Sequence, residues 1–232
     1  MVRMIRAQTR LGDFILGGAP CVVGTASQAG TLVELAAGKG RVCDIVEIRL
    51  DLLSGDPHRH LEFAPKLAPV IATVRLASEG GKWTRPDADR LPLFDTALQH
   101  CTAADIEYRS ALLEKVSALA VRHQKALIIS YHDFEKTPAL EELRQVMTKA
   151  ANYGTVVKIA TLTKTEEDVA MLRALFQDNC SAALCVLGMG PLALQTRIEF
   201  PRLGSCFTYG YLDVPIAPGQ PSARELMQQL HR

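Results

Sequence analysis

The chain alternates short β-branched runs with longer stretches of helical spacing about eight times over, and that alternation restricts the fold more than any single motif. Strands are predicted over 21–25, 45–50, 70–75, 105–108, 126–131, 156–160, 183–187 and 206–209. Helical patterns fall near 32–38, 60–67, 89–99, 112–123, 140–151, 166–176, 194–200 and 222–230. Strict alternation implies parallel strands joined by right-handed crossovers, and eight units suggest an α/β chain closed into a (β/α)8 TIM barrel. An open doubly wound sheet is the alternative. Its first strand–helix turn should carry G-x-G-x-x-G to bring a pyrophosphate onto a helix N-terminus, and VVGTASQAGT does not. Thr137 before Pro138, and Thr165 before Glu166, Glu167 and Asp168, read as helix caps. Residues 4–16 precede the first unit and, with a turn at Gly12 and Asp13, predict a hairpin closing the bottom of the barrel. The whole chain, 1–232, is expected to form one domain, a usual length for such a barrel.

Charge narrows the partners. With 26 basic and 25 acidic side chains the formal charge is +1, which removes the usual basis for binding nucleic acid or an anionic membrane. No apolar run reaches the roughly 18 residues of a spanning helix. Arg3, Arg6 and Arg10 followed by FILGGAPCVVG superficially resemble an export signal, but Asp13, Gly17, Gly18 and Pro20 interrupt the run, and cleavage would remove a required strand. The cysteines at 21, 43, 101, 180, 185 and 206 stand singly and read as small reduced hydrophobes. His58 and His60 read as a solvated helix start, so no metal is expected. The expected location is the cytoplasm.

The informative residues are the ionisable ones in strands that should be apolar on both faces. In DIVEIRLDL, Glu47 and Arg49 are two apart and share a face, so both point into the barrel if Val46, Ile48 and Leu50 pack on helices. A barrel-closing ion pair between them is the purely structural alternative. The third strand ends in Arg75, and Glu79 follows before a glycine pair; the fourth carries Glu107, and the fifth ends in His132. Lys158 lies between Val157 and Ile159, where an ammonium is expensive to desolvate. Burial and cations such as Arg49 and Arg75 both disfavour a charged amine, and a neutral amine attacks ketones. The resulting protonated Schiff base acidifies the neighbouring C–H bond, which an imidazole at His132 can deprotonate, with Glu79 or Glu107 fixing its tautomer. Arg197 follows GMGPLALQT and precedes a short helix, where it can grip a carboxylate through two parallel hydrogen bonds. DVPIAPGQPS, around Gln220, has the composition of a semi-rigid flap.

Taken in order, VEIRLDLL, TVRLASEGG, DIEYR, SYHDFEKTP, VKIATLTKTEEDV, Arg197 and APGQ resemble the type I 3-dehydroquinate dehydratase family from about residue 21 onward. The resemblance implies a cofactor-free, usually dimeric barrel of the shikimate pathway that converts 3-dehydroquinate into 3-dehydroshikimate. By position it implies Lys158 as the Schiff-base lysine, His132 as the general acid/base and Glu79 as the acid paired with it. Thr25, Glu47, Arg49, Arg75, Arg197 and Gln220 fall at substrate-binding positions, and Met189 at a pocket methionine. A serine common in the family's last loop is Ile216 here, and the first-strand serine is Thr25. Threonine keeps a hydroxyl. Isoleucine donates nothing, which predicts binding weaker by on the order of 1–3 kcal/mol with the covalent chemistry intact. Another Schiff-base barrel enzyme, such as a class I aldolase, and a non-catalytic metabolite-binding descendant are the competing readings.

Overall fold

The computed structural model describes residues 10–12, 14–17 and 19–231. A short antiparallel hairpin pairs β1 (Arg10–Leu11) with β2 (Phe14–Ile15). This is the expected N-terminal hairpin in part, since residues 4–9 and 13 of that expectation lie outside the described residues. Eight parallel strands follow: β3 (Val22–Ala26), β4 (Ile45–Arg49), β5 (Val70–Thr73), β6 (Ala103–Glu107), β7 (Ala126–Asp133), β8 (Val156–Leu162), β9 (Ala183–Met189) and β10 (Thr208–Tyr211). Helices α1 (Ala29–Ala36), α2 (Pro57–Leu61), α3 (Ala64–Leu67), α4 (Arg90–His100), α5 (Leu113–His123) and α6 (Leu140–Ala150) lie in the first connections. The last connections carry α7 (Glu166–Ala174) and α8 (Ala193–Leu203), and α9 (Ala223–Leu230) follows β10. The sheet runs β10-β3-β4-β5-β6-β7-β8-β9, a (β/α)8 barrel nearly closed on itself. Its seam is bridged where Cys206 N–H donates to the Leu184 carbonyl at 2.8 Å.

Period-2 alternation sorts the strand residues into two apolar layers. Val46, Ile48, Ala72, Ile106, Ile129, Ile159 and Val186 face the helices, as expected from the isoleucine side of β4. Val23, Ile45, Ile71, Ile128 and Val156 fill the barrel interior, and Leu11 and Leu16 of the hairpin segment join them from below. The polar interior residues sit above this plug, towards the C-terminal ends of the strands.

Local chemistry explains where the elements start. Thr165 caps α7 in a full capping box with Asp168, as the sequence predicts. Thr137 does not cap α6. That helix starts after Ala139, and the Thr137 hydroxyl instead reaches across to Thr161 Oγ1 at 2.9 Å and the Leu162 carbonyl at 3.0 Å, tying the β7 loop to β8. Asp56 caps α2 by accepting from His58 N–H, so His58 does open a solvated helix. His60 departs from that reading: it is buried, with Nε2 2.9 Å from the Ser54 carbonyl, because one helical turn carries it to the barrel side.

Leu11 is wholly buried in the interior layer. Leu11→Ala is therefore expected to lower the unfolding free energy in urea titration by about 2–5 kcal/mol, and a loss below about 1 kcal/mol would show that the hairpin is not part of the core.

Candidate active site

Of the residues singled out in the sequence as site candidates, all but Glu107 line one cavity at the C-terminal mouth of the barrel: Thr25, Glu47, Arg49, Arg75, Glu79, His132, Lys158, Met189, Arg197 and Gln220. Strand alternation delivers most of them. Register places Thr25 beside Glu47, and His132 on β7 beside Ala160, two residues beyond Lys158 on β8. Phe134, Leu187, Tyr209, Ile216 and Ala217 complete the apolar part of the wall.

Lys158 is 6% exposed, and its Nζ lies 3.1 Å from Asp105 Oδ2 and 4.1 Å from the centroid of the Tyr209 ring. Asp105 is fully buried. Its other oxygen accepts from Arg75 Nη2 and from Ser130 Oγ, both at 2.6 Å. Burial by itself raises the Asp105 carboxyl, but Arg75, then Lys158 and His132, outweigh it and hold the group well below the usual carboxylate range. Its surroundings thus favour the ionised form. Sequence reasoning surrounded the lysine with cations alone and passed over this carboxylate, although Asp105 is two residues before Glu107 and so shares its inward face.

His132 Nδ1 is 3.0 Å from Glu79 Oε2. Burial, then Arg75 and Lys158, push the imidazole well below its ordinary value of 6.5. Glu79 moves the other way: burial above all, with Glu107 and Asp105 adding, lifts it to about 7 against the pull of Arg75. Both shifts disfavour the charged forms, so the two do not form an ordinary ion pair near neutrality. Glu107 is not the orienter, because it accepts from Arg90 Nη1 at 2.7 Å and from Leu76 N–H at 2.8 Å. The Glu79 turn is tightly seated. Gly80 has φ +78°, and a Cβ there would come within 2.3 Å of the Phe134 ring, which stacks on His132 with centroids 6.1 Å apart.

The Glu47–Arg49 ion pair is absent. Glu47 accepts from Thr25 and Thr73 hydroxyls on the flanking strands, each at 2.8 Å, and Arg49 forks onto Asp51 at 2.9 and 2.8 Å. Asp51 also accepts from Lys82 N–H, which anchors the loop that carries Glu79. Arg197 is 2% exposed and meets no carboxylate among the described residues. Its donors go to the carbonyls of Tyr209, Gly188 and Ala193, across the β9–β10 seam. Burial without a counter-ion lowers its guanidinium to about 10. In the flap, Ile216 N–H holds Gln220 Oε1 at 2.9 Å, and the Pro218 carbonyl accepts from Gly190 N–H at 2.8 Å.

A barrel with a buried lysine, an imidazole and a guanidinium without a carboxylate partner at its C-terminal mouth has the fold of an enzyme and the groups that covalent catalysis by an amine uses. The family model described as Type I 3-dehydroquinase matches residues 20–232, and the chain belongs to that family. Relatives named 3-dehydroquinate dehydratase include one from Methanocella arvoryzae, 33% identical over 189 residues that span 81% of this chain and 86% of the relative. Another, from Methanothrix thermoacetophila, is 39% identical over 190 residues, 79% of each chain. The solved 3-dehydroquinate dehydratase of Aquifex aeolicus superposes with a TM-score of 0.77 at 28% identity, over 90% of this chain and 96% of that one. The type I enzyme of Clostridium difficile shares the fold with a TM-score of 0.86 at 23% identity, over 96% of both.

Glu79 binds its proton more tightly in the folded protein than at its ordinary value of 4.5, so its share of stability is full below that pH and is lost as pH rises through about 7. Glu79→Gln removes the titration. Unfolding curves across this window are expected to move in favour of the variant by up to roughly 3 kcal/mol as pH increases, and a constant difference would contradict the raised carboxyl.

Proposed function

We propose that this chain removes water from 3-dehydroquinate to give 3-dehydroshikimate through a Schiff base on Lys158, a hydro-lyase step of the shikimate pathway. The observation that carries the reading is the meeting, in one cavity, of a sheltered amine, an imidazole held neutral and a buried guanidinium with no carboxylate of its own. Arg197 receives the substrate carboxylate, the missing counter-charge. Lys158 passes one proton to solvent and attacks the ketone; that proton and the one shed by the bonded nitrogen end on the carbonyl oxygen, which leaves as water, and the iminium lies beside the Asp105 anion, which balances its charge. His132 donates Nδ1–H to Glu79, keeping the Nε2 lone pair available to the carbon next to the iminium. The proton removed there leaves an enamine, which expels the hydroxyl one carbon further on as His132 returns a proton to it. Hydrolysis then frees the conjugated product from Lys158.

Glu47, Arg49, Arg75, Thr25 and Gln220 bind ring oxygens and the carboxylate, and Met189 shapes the apolar wall. Arg75 and Arg49 already serve Asp105 and Asp51, so their substrate contacts come from donors left over after those pairs. The enzyme is one domain and, in line with its family resemblance, a homodimer in the cytoplasm. Light scattering at the 25.3 kDa monomer mass would remove the dimer from this proposal.

Borohydride added with 3-dehydroquinate should fix the ligand to Lys158 as a stable amine; an unchanged intact mass with bound substrate overturns the imine. For His132→Ala, adduct formation should persist while turnover, read from enone absorbance, drops by about 10²–10⁴-fold. Near-normal turnover would take His132 out of the proton transfers.

A further inference from the structure

Tyr209 lies on the inward face of β10, 4% exposed, edge-on to Phe207 with centroids 6.3 Å apart. Its ring stands 4.1 Å from Lys158 Nζ, and its hydroxyl is buried with no hydrogen-bond partner. A phenol left unpaired in a protein interior costs stability that a phenylalanine of the same shape would avoid. The cationic donors of the cavity already have partners that fix their direction, Arg75 on Asp105, Arg49 on Asp51 and Arg197 on carbonyls at the seam. The phenol, whose ring lies against Nζ, is the neutral donor with no partner at all. Burial, with Glu47 next, keeps it well above its ordinary value of 10, so it remains protonated.

We infer that the Tyr209 hydroxyl donates a hydrogen bond to the substrate oxygen on the carbon that Lys158 attacks, stabilising the charge that gathers there as the C–N bond forms. In that step the nitrogen lone pair makes the new bond and the carbonyl π pair moves to oxygen. The proton lost by nitrogen ends on that oxygen, giving the carbinolamine, and the phenol keeps its own proton throughout. A donor aimed at an oxygen where charge develops is worth about 10²–10³ in rate when removed from other enzymes. This role rests on the imine reading above.

The test is the rate at which borohydride-trapped adduct accumulates on Lys158 when 3-dehydroquinate is mixed with wild type or Tyr209→Phe, read by intact mass. The variant should form adduct at least about 10-fold more slowly while melting at or above the wild-type temperature, because the orphaned hydroxyl is gone. Adduct formation within twofold of wild type overturns the inference. So does a slower reaction accompanied by a lower melting temperature, which would be a packing effect. A wild type that never forms adduct fails at the earlier step and removes the imine reading and this role together.

Discussion

The Asp105 carboxylate is the constraint around which the site is arranged. It is fully buried on β6, and its partners come from three other strands or strand ends: Arg75 after β5, Ser130 on β7 and Lys158 on β8. Charges in a barrel interior persist only when paired and hydrogen-bonded, and removing one member strands the others at a cost of about 3–5 kcal/mol. The row extends outward. Arg75 meets Glu107 at 3.3 Å, Glu107 meets Arg90, and Arg90 reaches Asp87 at the surface. Alternating signs from surface to centre let one ammonium sit deep in the barrel without a bare field around it.

The row also separates the acid–base properties of its neighbours. Arg75 and Lys158 lie close enough to His132 to discourage a third positive charge, while Glu107 and Asp105 discourage ionisation of Glu79. Two groups 3.0 Å apart are thereby shifted in opposite directions, the imidazole towards its neutral form and the carboxyl up to about 7. That is what a residue needs if it is to take a proton from carbon and return one to a leaving hydroxyl within a single turnover.

Much of this was legible from the period of the strands. Once Ile48, Ile106, Ile129 and Ile159 are assigned to the helices, their neighbours Glu47, Glu107, Ser130 and Lys158 must point inward, and the cavity assembles itself from alternation. What alternation leaves open is pairing. Glu47 and Arg49 share a face yet ignore one another, since each finds a better-aligned partner on its other side. Arg90, the first residue of an amphipathic helix, would be placed in solvent by spacing alone; it is fully buried because Glu107 and the Val74 carbonyl receive it. Thr137 has the composition of a cap and the position of a cross-strand tie. Which partner wins depends on distances between segments far apart in the chain, and no local pattern encodes them.

The flap shows which of its bonds depend on the side chain at residue 216 and which do not. Gln220 is oriented by the main-chain N–H of Ile216, not by its side chain, so any residue at 216 except proline presents the same donor. The flap is pinned again where Gly190 N–H meets the Pro218 carbonyl, a second bond independent of side chains. Isoleucine therefore removes one possible polar contact with a ligand but leaves the amide of Gln220 placed at the cavity and adds apolar surface that excludes water. Apolar surface at the rim lowers the effective dielectric below it, which strengthens the attraction between Lys158 and Asp105 at the floor of the same cavity.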